Sequence, residues 1–391
     1  MNKFRDTFLP YCLPDITESE IDEVVSTLKS GWLAKGPRTR LFEQKFAEYV
    51  GAKHAVGMNS CTAALHIALV AAGIEPGDEV ITSPMTFAAS ANTIIHTGAT
   101  PVFVDIDPLT GCIDADAIEV KVTPRTKAIV PIHYSGQACD LDKIYGVAEK
   151  YGLFVSEDAA HAFYTQYKGR MIGSGAPGAV SYSFYATKNL ATGEGGMLTT
   201  DDDKIAERAR VLVSHGMSKS AWNRYAKGGS WRYDIEEFGY KYNMFDIQAA
   251  LGLKQLERLG TMQQRRAEIA NAYTQAFAAM PAMIVPKPSR DTSTHCWHLY
   301  VIRLNPAKLN LTRDRFIEGL AERNIGTSVH FIPVHLMSAY ANRYGYKPGD
   351  FPYCEAWFDN VVSLPLYPTL NDDDVQYVIE AVRELVSEYS R

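Results

Sequence analysis

The stretch SFYATKNLATGEGGMLTT, Ser183 to Thr200, sets a single lysine, Lys188, among small, apolar and glycine residues. Surface lysines usually have charged company, but the nearest charge to this one along the chain is Glu194. A lysine does chemistry when burial or a neighbouring cation lowers its pKa, because the neutral amine can then condense with an aldehyde. Taken alone, the stretch favours a lysine that points to solvent from a turn, the commoner fate of lysines. Its flanks, AVSYSFYATK and GGMLTT, read as two strands.

Working outward, LFVSEDAAHA at 153–162 is an apolar strand carrying Asp158, thirty residues before the lysine. Open α/β sheets bind ligands at the carboxyl ends of their strands. A carboxylate there can pair with a pyridinium nitrogen and keep it protonated, making such a cofactor an electron sink; its bland alternative is to cap the following turn. In GMNSCTAALHIAL, 57–69, small polar residues stand where a strand gives way to a helix. Backbone N–H groups there, with the Ser60 and Thr62 hydroxyls, suit a phosphate, or they are plain N-caps. Ser183 can add a hydroxyl to the same phosphate. Phe87, leaving a strand end in SPMTFAAS, suits either stacking on an aromatic ring or the core.

The rest of the first 259 residues alternates strands with helices. The strands are AVGMNS, DEVITSPMTF, TPVFVDID and TKAIVPIHYSG; the helices are LFEQKFAEYVG, CTAALHIALVAAG, SANTIIHTGA and LDKIYGVAEKYG. TESEIDEVVSTLKSGW reads as an amphipathic helix with an acidic first turn. Continuous apolar strands alternating with helices predict an α/β fold with a mainly parallel central sheet between helices. After YNMFDIQAALGLKQLERLGTMQQRRAEIANAYTQAFAAM, one long helix or two joined, the pattern changes to HLYVIRL (strand), TRDRFIEGLAERNIG (helix), a proline-interrupted loop region and the helix DDDVQYVIEAVRELVSEYS. The expected division is a large domain, 1–259, and a smaller α+β C-terminal domain, 260–391.

The net charge of −6 argues against nucleic-acid or anionic-membrane partners, which need a basic face. The N-terminus lacks the uninterrupted apolar run of a signal peptide, and no run approaches a membrane span. The six cysteines contain no CxxC pair and read as reduced thiols of a cytoplasmic protein. GSGAPG, 173–178, satisfies GxGxxG but holds Pro177 and opens onto a strand, so it is not read as a dinucleotide site. His295/His298 and His330/His335 lack cysteine or carboxylate companions at metal-ligand spacing, so no metal is expected.

EDAAHA, SFYATKNLATGEGGMLTT and GYKYNMFDIQAALGLKQL together resemble the DegT/StrS-type sugar aminotransferases, pyridoxal-phosphate (PLP) enzymes of the aspartate-aminotransferase class, fold type I. The similarity runs from GWLAKGPRTRLFEQKFAEYVGAKHAVGMNSCTAALHIAL to SLPLYPTLNDDDV, nearly the whole chain. The resemblance implies that Lys188 holds PLP as a Schiff base and that Asp158 faces the pyridine nitrogen. It places His161 near the cofactor's 3-hydroxyl and Phe87 against the ring. Ser60, Cys61, Thr62 and Ser183 then hold the phosphate, and Asn243 reaches it from the neighbouring subunit, so the sites belong to a homodimer. The long segment 214–243 suits a crossing of that interface. For the substrate it implies L-glutamate as donor, 2-oxoglutarate as product, and a keto-sugar on UDP, dTDP or GDP, with Lys35, Tyr134, His330 and Phe331 as sugar-site candidates; His335 lies in the same segment, VHFIPVH. Relatives that carry histidine in place of the lysine dehydrate or deoxygenate sugars; here the lysine is present. PIHYSG, AWNRY and GYKYN are similar to the UDP-4-amino-4-deoxy-L-arabinose type and imply amination at C4. The alternatives are a C3 keto-sugar or cyclitol aminotransferase and, from another class, a non-catalytic PLP or sugar sensor.

Overall fold

A computed structural model describes residues 5–217 and 233–390. Its thirteen strands in chain order are β1 (His54–Met58), β2 (Glu79–Thr82), β3 (Thr100–Phe103), β4 (Thr126–Val130), β5 (Phe154–Asp158), β6 (Gln166–Tyr167), β7 (Arg170–Met171), β8 (Ala179–Ser183), β9 (Gly196–Thr200), β10 (Met283–Ile284), β11 (Thr292–Thr294), β12 (Tyr300–Leu304) and β13 (Val361–Leu364). Seven form the central sheet in the order β1-β9-β8-β5-β4-β2-β3. Only β9 runs against its neighbours, pairing antiparallel with β1 and β8; the contacts β8–β5, β5–β4, β4–β2 and β2–β3 are parallel. Strands β2 and β9 are buried at every residue, which is why they read as apolar runs without alternation. The helix Cys61–Ala71 is apolar nearly all round and buried on nearly every residue, the mark of a helix sunk between layers.

A second core gathers side chains from 269–386 around the antiparallel sheet β10-β12-β13 and the helices Arg313–Glu322 and Asp372–Tyr389. One 32-residue helix, Asp246–Phe277, links it to the larger body. Leu9 belongs to this second core: its N–H donates to Asn324 O at 2.7 Å, and it accepts from Gly326 N at 2.8 Å. The loop region expected before the last helix instead contains two short helices, Ser338–Tyr344 and Pro352–Asn360, and strand β13. Seven and nine residues are too few for a clear helical period, and the prolines that suggested a loop include the one at the first position of the second helix.

The helix Glu18–Ser30 is present but inside out. Its buried residues are Glu20 and Thr27, whereas Ile21, Val25 and Leu28 form an exposed apolar stripe. Glu20 faces inward because it accepts from Arg258 Nε at 2.7 Å and Gln255 Nε2 at 2.9 Å. Half of the segment expected to cross a dimer interface, residues 218–232 with its AWNRY motif, lies outside the described residues.

Asp246 ties the long helix to the start of the helix Pro37–Val50. Wholly buried, its carboxylate accepts from Gly36 N at 2.7 Å, Arg38 N at 3.0 Å, Thr39 N at 3.0 Å and Thr39 Oγ1 at 2.7 Å. A carboxylate at a helix N-terminus answers both its orphan amides and its dipole. Asp246→Ala strands those donors and should lower unfolding free energy by about 3 kcal/mol in urea denaturation.

Candidate active site

The carboxyl ends of the parallel strands open into a cavity of about 480 Å³. Asp158 closes β5, Ser183 closes β8, and Ser60–Cys61–Thr62 begin the helix that follows β1. Thr86 and Phe87 come from the turn after β2. Of the residues singled out in the sequence, Ser60, Cys61, Thr62, Phe87, Asp158, His161, Ser183, Lys188, His330 and Phe331 all line this one cavity.

Lys188 is on the cavity wall, so it meets the interior space while protein surrounds it elsewhere. No hydrogen bond or ion pair holds its ammonium among the described residues. Burial pushes its pKa down to about 8, against the pull of Asp158. A surface lysine on a turn has neither property.

Asp158 accepts from Ser90 Oγ at 2.6 Å on Oδ2 and from Ala160 N at 3.0 Å on Oδ1. It therefore caps the turn, as the bland alternative held, while also lining the cavity. Ser60 is likewise both things. Its Oγ accepts from Ala63 N at 3.1 Å as an N-cap, and its carbonyl accepts from Ala64 N. The amides of Cys61 and Thr62, the first two of the helix, remain open donors among the described residues. Gly196 of the GEGGM run packs on this turn: a Cβ there would meet Ser60 C at 2.4 Å and Cys61 N at 2.5 Å. Phe87 is 65% exposed with its ring at the cavity, so it is not a core residue.

His161 accepts at Nδ1 from Ser135 N at 3.3 Å, and burial, with Lys188 and His330 near, holds its pKa well below the usual histidine range. It is a neutral imidazole whose proton is on Nε2. Phe331 stacks on it, with ring centroids 5.6 Å apart and 26° between planes. His330 bonds to Ser363 Oγ through Nδ1 at 2.8 Å, and burial and then Lys188 push its pKa down to about 3.

Three sequence candidates lie outside the cavity, and so does His335. Tyr134 is fully buried: its hydroxyl donates to His330 O and accepts from Trp357 Nε1 at 3.2 Å, so it braces the cavity wall from behind rather than meeting a ligand. Lys35 is paired with Glu43 at 3.0 Å. Asn243 bridges to Met58 through its backbone and accepts from Lys241 Nζ at 2.6 Å. His335 is tied to Glu355 at 3.0 Å.

Cavity residues with no sequence signal include Tyr11, Thr86, Tyr185 and His298. Tyr11 arrives because Leu9 pairs beside Ile325, a contact across 316 residues that no local pattern announces. His298 donates from Nδ1 to Asn189 Oδ1 at 3.1 Å; Asn189 is oriented by its own donation to Cys296 O at 2.7 Å.

These residues fit PLP: an unpaired amine of lowered pKa for its aldehyde, a carboxylate for a ring nitrogen, two open amides for its phosphate and an exposed aromatic face. The fold and site define a PLP-dependent aminotransferase. The sequence model of the DegT/DnrJ/EryC1/StrS aminotransferase family matches residues 14–383, and the chain belongs to that family. It is 60% identical over 383 residues to the spore coat polysaccharide biosynthesis protein SpsC of Bacillus subtilis (strain 168), covering 98% of each chain. The putative sugar aminotransferase Spr1654 of Streptococcus pneumoniae, solved in its PMP form, superposes with a TM-score of 0.91 at 37% identity, over 97% of this chain and 99% of that one. Helicobacter pylori PseC, an aminotransferase of pseudoaminic acid biosynthesis, superposes at 0.90 with 30% identity, over 98% and 100%. The chain is thus a PLP-dependent sugar aminotransferase of fold type I.

Two outcomes test the site. As pH rises through about 8, Lys188 loses its proton, so the rate at which apoprotein captures PLP, read by absorbance, should climb and then level off. Gly196→Ala should push the Ser60–Cys61 turn outward and weaken PLP binding by about 10-fold or more in an absorbance titration.

Proposed function

We propose that the enzyme moves an amino group from L-glutamate to a nucleotide-linked keto-sugar, at C4 of a 4-keto-6-deoxy or pentose sugar. The observation that carries this reading is the unpaired, partly deprotonated Lys188 amine sharing a cavity with Asp158.

Bound PLP supplies an electron sink for charge developing beside its imine carbon. Asp158 keeps a proton on the ring nitrogen, with Ala160 N fixing the other carboxylate oxygen. His161, its Nδ1 occupied, has Nε2–H left to donate to the cofactor's 3-oxygen. Ser60, Ser183 and the Cys61 and Thr62 amides hold the phosphate, and Phe87 covers the ring. Lys188 holds the cofactor at rest. With the donor bound, the Nζ of Lys188 would take the proton from the donor's α-carbon and hand it back in the second half of the transfer; a pKa of about 8 suits an amine that both accepts and returns a proton. Running the same proton transfers backwards on the keto-sugar delivers the amine.

The C4 assignment rests on the resemblance of PIHYSG, AWNRY and GYKYN to the 4-amino-sugar type; His133 and Tyr134 of the first are wholly buried. Work on a surface polysaccharide is supported by the name of SpsC, a spore coat polysaccharide biosynthesis protein. We further propose a homodimer with shared sites. The exposed stripe Ile21, Val25 and Leu28, with Trp32 and Leu33 beyond it, supports an interface on the helix Glu18–Ser30, and Lys35 and Asn243, outside their own chain's cavity, would then serve the partner's. A cytoplasmic location is supported by six free cysteines. No described helix is long and apolar enough to cross a membrane.

The test is a panel of UDP-, dTDP- and GDP-linked 4-keto and 3-keto sugars incubated with glutamate and the enzyme. Mass spectrometry should report a 4-amino sugar. Amination of 3-keto sugars alone would move the assignment to C3, and conversion of the cofactor by glutamate with no sugar aminated would favour a cyclitol ketone. Lys188→Arg should abolish both turnover and the borohydride-trapped PLP adduct. No spectral response of the cofactor to glutamate in the unaltered protein would favour a sensor.

A further inference from the structure

Asp158 has a hydroxyl chain behind it that the proposed mechanism does not use. Ser90 Oγ donates to Asp158 Oδ2 at 2.6 Å, and Thr86 Oγ1 lies 2.7 Å from Ser90 Oγ. An ionised carboxylate only accepts, so the single Ser90 proton points to Asp158. The proton between Thr86 and Ser90 must then come from Thr86. The chain has one direction: Thr86 to Ser90 to Asp158. Both hydroxyl residues are buried, and the Ser90–Asp158 bond spans 68 positions. Ser90 is the third residue of the helix Ala88–His96, whose N-cap is Phe87 and has no side-chain cap bond. A serine at that position ordinarily serves its own helix end; here the hydroxyl reaches across to the sheet instead. Thr86 lines the cavity and Ser90 does not.

We infer that Ser90, backed by Thr86, is a positioning residue that sets where the proton shared by Asp158 and the cofactor's ring nitrogen resides. The inference rests on the reading of Asp158 as the ring-nitrogen partner. The Ser90 donation occupies Oδ2 with a hydrogen bond, so that oxygen is less free to take the proton from the ring nitrogen, and the ring stays electron-poor. Successive hydroxyls polarise one another, which strengthens the inner bond. The other titratable groups near Asp158 are Lys188, Cys61 and Cys139, and burial keeps both thiols protonated. Lys188 is therefore the one other group there that changes charge near neutral pH.

Without the Ser90 hydroxyl the carboxylate draws the proton toward itself. The ring then withdraws fewer electrons, and the imine between Lys188 and the cofactor becomes more basic. The experiment uses holoenzyme. Ser90→Ala should raise the pH midpoint of the cofactor's visible absorption and slow its conversion by glutamate about 10-fold, the usual consequence of one lost bond to a charged group. Thr86→Val, which removes only the outer hydroxyl, should move the midpoint in the same direction by less. Ser90→Thr, keeping a hydroxyl, should restore it. Ser90→Ala or Thr86→Val holoenzyme with an unmoved midpoint, whatever its melting temperature, overturns the inference. Asp158→Asn in the same titration separates the two levels: a midpoint unmoved there retires the pairing of Asp158 with the ring nitrogen, whereas one that moves there but not in Ser90→Ala retires the hydroxyl chain alone.

Discussion

A lysine with no ion pair among the described residues, set in the wall of a cavity, is the constraint on which this structure turns. The ammonium of Lys188 has no hydrogen bond or ion pair among the described residues; desolvation lowers its pKa and wins over Cys61, Asp158, Cys12 and Cys296, which pull it up. Everything around it preserves that imbalance. His161, His298 and His330 are all kept neutral by burial, so none supplies a second cation. They add polar atoms to the wall without adding charge.

The sheet explains why these groups converge. Parallel strands put all their carboxyl ends on one edge, so residues far apart in the chain become neighbours there without any local signal between them. The short strand β9, reversed between β1 and β8, brings Gly196 against the Ser60–Cys61 turn. One glycine thus fixes the distance between the loop that carries the lysine and the turn suited to a phosphate. On the opposite side, Tyr134 and Trp357 brace the backbone at His330, so the smaller body's contribution to the cavity is set by a buried hydroxyl in the larger one.

How much of this was legible depended on whether a feature is local. The parallel sheet could be read because buried strands are apolar without interruption. Lys188 could be singled out because a lone charge in an apolar stretch is itself a signal, and Asp158 because it stands at the carboxyl end of an apolar strand. Phe87 was ambiguous between stacking and core, since both demand an aromatic; exposure separates them. The inside-out helix Glu18–Ser30 has the period of any amphipathic helix, and only the presence of Arg258 opposite Glu20 tells which face turns inward. Ser90 looked like one more helix residue, because its partner is in another element.

The pairing of Leu9 beside Ile325 has a consequence for how the chain is made. Tyr11 is made before the backbone at Ile325 that seats its neighbour Leu9, which emerges more than three hundred residues later. Until then the central sheet can assemble while one wall of its pocket is missing. The segment around Leu9 waits unpaired until Ile325 is made, and that wall of the cavity is completed by two stretches synthesised far apart in time.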